Sequence, residues 1–110
     1  MSKRQVVTQY LTGFCAGDVE RVAATLADEF ELDGPLFTFR SKQEYLASLA
    51  GDFDAGTRFE IVELLEGVDT VSVFYDYAKP SGTVTVAQLF WFENSKIRKT
   101  LLVFDRQSVG

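Results

Sequence analysis

The chain has 110 residues, room for one domain and one core, and its hydrophobic fraction of 46% is that of a globular protein. Sixteen Asp and Glu against 11 Lys and Arg leave a net charge of −5, and the cations are scattered, which argues against a nucleic-acid partner. There is no His and a single Cys, so His-dependent nucleophile systems, His-based zinc sites and any intrachain disulfide are excluded.

Acid–base chemistry is thereby left to Asp, Glu, Tyr, Lys or the one thiol. Cys15 falls in an apolar helical pattern and reads as a buried structural thiol more readily than a reactive one. No apolar run approaches the ~20 residues needed to span a bilayer, so no membrane partner is expected. The opening MSKRQVVTQYL lacks the apolar core and cleavage site of a signal peptide, which makes the cytoplasm the default expectation. Ten Phe, four Tyr and one Trp are many rings for so small a chain, and a lined cavity or a subunit interface would absorb some of them.

Val6, Val7, Tyr10, Leu11 and Phe14 recur at helical spacing and predict a first helix over about residues 4–16. Gly17 suits its left-handed cap, and Asp18 suits the N-cap of a second helix with Val19, Val22, Ala23 and Leu26 on its stripe. Residues 30–39 read as two short extended pieces around Gly34-Pro35, because Pro35 lacks a donor and keeps Gly34 extended. A third helix starts at Ser41, which stands at capping-box spacing from Glu44. Its apolar positions are Tyr45, Leu46, Leu49 and Phe53.

From Thr57 the period falls to two. The first strand runs from Phe59 through Leu65, and its alternation slips at Val62, as a bulge would make it. Beyond the turn at residues 66–69, Val71, Val73, Tyr75 and Tyr77 share one face of a second strand. Lys79-Pro80-Ser81-Gly82 turns the chain again. In the third strand Val84, Val86, Gln88, Phe90 and Phe92 share a face, with Ala87, Leu89 and Trp91 behind them. Asn94-Ser95 leads into the last strand, from Ile97 to about Asp105, which sets Leu102 and Phe104 on one side and Leu101 and Val103 on the other.

Three helices followed by four alternating strands, with no linker or repeat, predict one α+β domain over residues 1–110. Its form would be a curved antiparallel sheet wrapped around the N-terminal helices, with a pocket between the layers. Both sides of the strands are apolar near Phe74, Leu89, Trp91, Leu101 and Val103, yet three helices can cover only one face. A second copy of the chain is the expected cover for the other, making a homodimer through the sheet.

The helix ending in Gly17-Asp18, the ADEFELDGP stretch from Ala27, the FRSKQEYLASL helix entry and the tail KIRKTLLVFD together resemble the nuclear transport factor 2-like (NTF2-like) superfamily. Within it they resemble the small SnoaL-like cyclases and ketosteroid isomerases. The resemblance spans essentially the whole chain and implies a cone-shaped α+β roll, commonly dimeric, with a deep pocket. It does not fix an activity, because the fold hosts enzymes and non-enzymes alike.

The family's isomerase pattern carries over residue by residue. Tyr10 falls where the catalytic Tyr stands on the first helix, and its phenol would donate to a developing enolate oxygen; it also reads as a core Tyr. The catalytic Asp of the family immediately precedes the Pro, where this chain has Gly34. Asp33 comes one residue earlier and would reach the pocket as a base only if Gly34 allows a kink; otherwise it is a turn Asp. Gln88 matches the second oxyanion donor and is the lone polar residue on its strand face, in want of a partner.

Phe14, Tyr75, Phe90 and Phe104 are the aromatic residues expected to line the cavity. No glycine-rich phosphate loop and no metal-ligand spacing are present, so no cofactor or metal is expected. Two functions remain open at this level. One is a domain that binds a small apolar or aromatic ligand, with a cofactor-independent cyclase or isomerase as its enzymatic version. The other is a non-catalytic binding or dimerisation domain whose cavity is filled by its own aromatic side chains.

Overall fold

In the computed structural model, which describes residues 1–52 and 56–105, the first apolar stripe folds as helix α1, Lys3–Ala16. The Ser2 hydroxyl accepts from the Gln5 N–H while the Gln5 side chain accepts from the Ser2 N–H, so two otherwise free donors are paired. Gly17 ends the helix at φ 71°, a conformation that costs a residue bearing a Cβ about 1–2 kcal/mol. Asp18 then caps α2, Val19–Ala24, by accepting from the Arg21 N–H at 3.1 Å.

The second stripe is shorter than expected. Thr25 turns its hydroxyl back onto the Val22 carbonyl at 2.7 Å, and Leu26 already opens strand β1, Leu26–Asp33. The chain then turns where the Gly34 N–H donates to the Phe37 carbonyl at 3.0 Å. Strand β2, Thr38–Phe39, folds back antiparallel onto β1. Helix α3, Lys42–Asp52, starts as the Ser41 hydroxyl accepts from the Glu44 N–H at 3.1 Å. Its Tyr45 and Leu49 are buried, and Phe53 lies outside the described residues.

Four strands follow: β3, Arg58–Glu66; β4, Thr70–Lys79; β5, Gly82–Glu93; and β6, Lys96–Val103. The slip at Val62 is a register shift between Ile61 and Glu63, the local bend of a bulge. Lys79 pairs with Gly82 and Glu93 with Lys96, so the β4–β5 and β5–β6 hairpins each close on two residues. At the second, Asn94 and Ser95 have φ of 51° and 66°, the turn whose twist matches the flanking strands.

The sheet runs β2-β1-β6-β5-β4-β3. It is curved and unclosed, and α1 packs on β3 and β4 while α3 packs on β1. Every neighbouring pair is antiparallel except β1 and β6, which run parallel, with Leu32 opposite Thr100 and Asp33 opposite Leu101. The inner face carries the core, where Phe30, Val71, Val73, Phe90 and Ile97 are fully buried. The outer face is apolar as well: Phe74, Leu101 and Val103 are 40%, 38% and 52% exposed, beside half-buried Leu89 and Trp91.

Candidate functional site

Between the helices and the inner face of the sheet lies a cavity of about 410 Å³, within the roughly 300–1,000 Å³ of small-molecule sites. Its wall is mostly aromatic and aliphatic. Tyr10, Phe14, Tyr75, Gln88 and Phe104, five of the seven residues singled out from sequence, are among the residues that line it.

The other two are placed elsewhere. Phe90 is fully buried in the core behind Tyr10, with the rings edge to face at 5.4 Å, and is absent from the cavity wall. Asp33 is on the outer face of the sheet. It pairs with Leu101, while its neighbour Leu32 points inward and lines the cavity, because successive strand residues face opposite sides. The turn that begins at Gly34 comes too late to reverse this. Arg40 at 3.4 Å and Lys99 at 3.7 Å hold the Asp33 carboxylate outside.

A polar floor is built into this apolar wall. Tyr10 on α1 and Tyr45 on α3 meet hydroxyl to hydroxyl at 2.6 Å. Tyr75 on β4 donates to the Gln88 Oε1 at 2.7 Å, Gln88 Nε2 donates to the Thr100 hydroxyl at 2.9 Å, and that hydroxyl donates to the Leu89 carbonyl at 3.0 Å. The partner that Gln88 wanted is thus Tyr75 on one side and Thr100 on the other. Counting hydrogens shows what the floor can still do. The two phenols of the Tyr10–Tyr45 pair carry two hydrogens and their mutual bond uses one, while the Gln88 amide gives one N–H to Thr100 and turns the other towards the Tyr10 phenol. The floor therefore keeps one phenol hydrogen to give.

Burial drives the phenols of Tyr45 and Tyr75 well above their ordinary titration range. The Tyr10 phenol is also raised by burial, with hydrogen bonds from Tyr45 and Gln88 pulling the other way. All three are neutral donors at neutral pH. No carboxylate lines the cavity among the described residues; the ionisable lining groups are the tyrosines and Lys79. Cys15 is buried outside this cavity, and burial raises its thiol, in keeping with a structural role. Among the described residues no group of acids and thiols is arranged to hold a metal, and no helix is long and apolar enough to cross a membrane.

Tyr45, Tyr77, Lys79 and Thr100 were not singled out from the sequence. The clearest missed signal is Tyr75, Tyr77 and Lys79 at alternate positions of one strand, which puts all three on the same wall.

The chain belongs to the SnoaL-like domain family, whose profile matches residues 7–100, and its fold is that of the NTF2-like superfamily. It superposes on an NTF2-like protein of unknown function from Cytophaga hutchinsonii with a TM-score of 0.86 at 16% identity, covering 99% of this chain and 95% of the other. A SnoaL-like protein of unknown function from Burkholderia thailandensis gives 0.81 at 22% identity, covering 94% and 93%. An LEH-like epoxide hydrolase from M. tuberculosis gives 0.79 at 17% identity, covering 94% and 82%. These likenesses are of fold. No curated protein matches the chain in sequence.

Proposed function

We propose that the domain binds a small, neutral-bodied aromatic or apolar molecule whose carbonyl or similar acceptor meets the floor of the cavity. The observation that carries this reading is the polar Tyr10–Tyr45 and Tyr75–Gln88–Thr100 floor, with a phenol hydrogen left to donate, at the end of an otherwise apolar wall. Neutral phenols in such surroundings hydrogen-bond a carbonyl without competition from water. The cyclase or isomerase version also needs a base beside the carbonyl. Asp33 points away from the cavity, and the phenols are held protonated, so binding is favoured over proton transfer. A cavity of 410 Å³ weighs against one filled by its own side chains.

The test is a thermal-shift series with aromatic ketones and steroid enones, each set against the hydrocarbon of the same shape. A bound ligand at ~100 times its dissociation constant stabilises by roughly 2.7 kcal/mol. Ketones should raise the melting temperature more than their hydrocarbons. If no compound in either set shifts it, the binding reading is wrong. The proposal extends to assembly, with a second copy of the chain covering the apolar outer face. Leu101→Lys should then lower the mass seen in sedimentation equilibrium, and a monomeric wild-type chain would overturn that part.

A further inference from the structure

Lys79 is the only cation among the described lining residues, and no hydrogen bond or ion pair engages it among the described residues. Its surroundings explain why this matters. The chain as a whole is acidic, at −5, and Arg4, Arg40, Arg98 and Lys99 each meet a carboxylate, Arg40 and Lys99 that of Asp33, whereas Lys79 lines the cavity without one. An ammonium left unpaired against an apolar wall is placed to meet a charge that the protein itself does not provide.

Position along the strand adds a length. Tyr75, Tyr77 and Lys79 share one face of β4, and all three line the cavity. At the rise of an extended strand, Tyr75 and Lys79 stand roughly 13 Å apart. Tyr75 belongs to the polar floor, while Lys79, half-buried, abuts the Pro80-Ser81 turn. The cavity thus has a phenol donor at one end, a cation at the other, and aromatic rings between, including Phe14 against Tyr77 at 6.1 Å.

We infer that the ligand is an aromatic keto acid, its ketone on the Tyr10–Tyr45–Gln88 floor and its carboxylate on Lys79. The inference rests on the cavity being a binding site and adds to it a charge and a direction of entry. A cationic ligand would meet Lys79 and no counter-charge among the described lining residues. A neutral ketone would fill the wall but leave the ammonium unpaired.

Calorimetric titration of 4-benzoylbenzoate and of the neutral 4-benzoylbenzamide into the wild type, Lys79→Gln and Lys79→Arg tests it. The two probes share the diaryl ketone and differ in an anionic carboxylate against an uncharged carboxamide of nearly the same shape. The wild type should prefer the acid by about tenfold, the contribution of one charge-assisted contact. That ratio should collapse towards one in Lys79→Gln and persist in Lys79→Arg. Equal affinities in the wild type, or a preference that survives Lys79→Gln, would overturn the inference and leave the binding reading standing. Binding of neither probe would count against both.

Discussion

Tyr75 and Gln88 meet diagonally across the β4–β5 pair. Gln88 faces Val73 and Tyr75 faces Val86, yet the phenol donates to the amide oxygen at 2.7 Å. Diagonal neighbours on a sheet lie within reach of long side chains, and Gln88 reaches the opposite diagonal too, to Thr100. One amide therefore ties three strands together beneath the cavity.

Gln88→Leu should consequently destabilise the fold by about 1–3 kcal/mol, since it orphans a buried phenol and removes a partner of Thr100. Combined with Tyr75→Phe, the loss should be smaller than the sum of the two single losses, because the phenol no longer needs the amide. Urea denaturation of the three variants measures both.

Asp33→Asn should leave ligand affinity unchanged, because the carboxylate is held on the outer face by Arg40 and Lys99. With these groups about a third to two-thirds exposed, the ion pairs should contribute less than about 1 kcal/mol. Titration of an aromatic ketone into the variant checks the first point, and a weakened affinity would restore Asp33 to the site.

Alkaline pH should unfold the protein through its tyrosines. Tyr10, Tyr45 and Tyr75 all have folded values raised above the ordinary value of 10.0. Their stabilising contribution is thus complete below about pH 10 and is lost as pH rises through the folded values. Phenolate absorbance from these three should emerge together with the loss of far-ultraviolet circular dichroism. Ionisation of all of them at about pH 10, with the fold intact, would contradict their burial.

Ser95→Gly should stabilise by up to about 1 kcal/mol, because Ser95 sits at φ 66° in a two-residue turn where glycine is free of the Cβ penalty. Melting temperatures of the two proteins give the answer.

Much of this architecture was legible in period and punctuation. The alternation from Val84 to Phe92 placed Gln88 inward, and Gly17-Asp18, Ser41 and the slip at Val62 marked corners that the structure contains. Asp33 was harder. Its face depends on β1 lying parallel beside β6, so that Leu26 pairs with Ile97 and Asp33 with Leu101, and pairing between segments so distant leaves no local trace in either. Tyr45 and Lys79 failed for another reason. A phenol on an apolar stripe and a lysine before a turn look ordinary until tertiary packing gives them a shared wall.

The parallel seam between β1 and β6 also sets a timetable. During synthesis β1 emerges early and must wait for β6, the last strand of the sheet in chain order, before its inner edge is hydrogen-bonded. Closure over such a distance is entropically slow, and until it happens Leu32 and Leu102, which line the cavity from neighbouring strands, are not brought together. A nascent chain halted before residue 96 would thus present β1 and β5 as open edges, vulnerable to pairing with other chains. A ligand of the proposed kind would then capture only the finished fold, protecting completed molecules and doing nothing for those still being made.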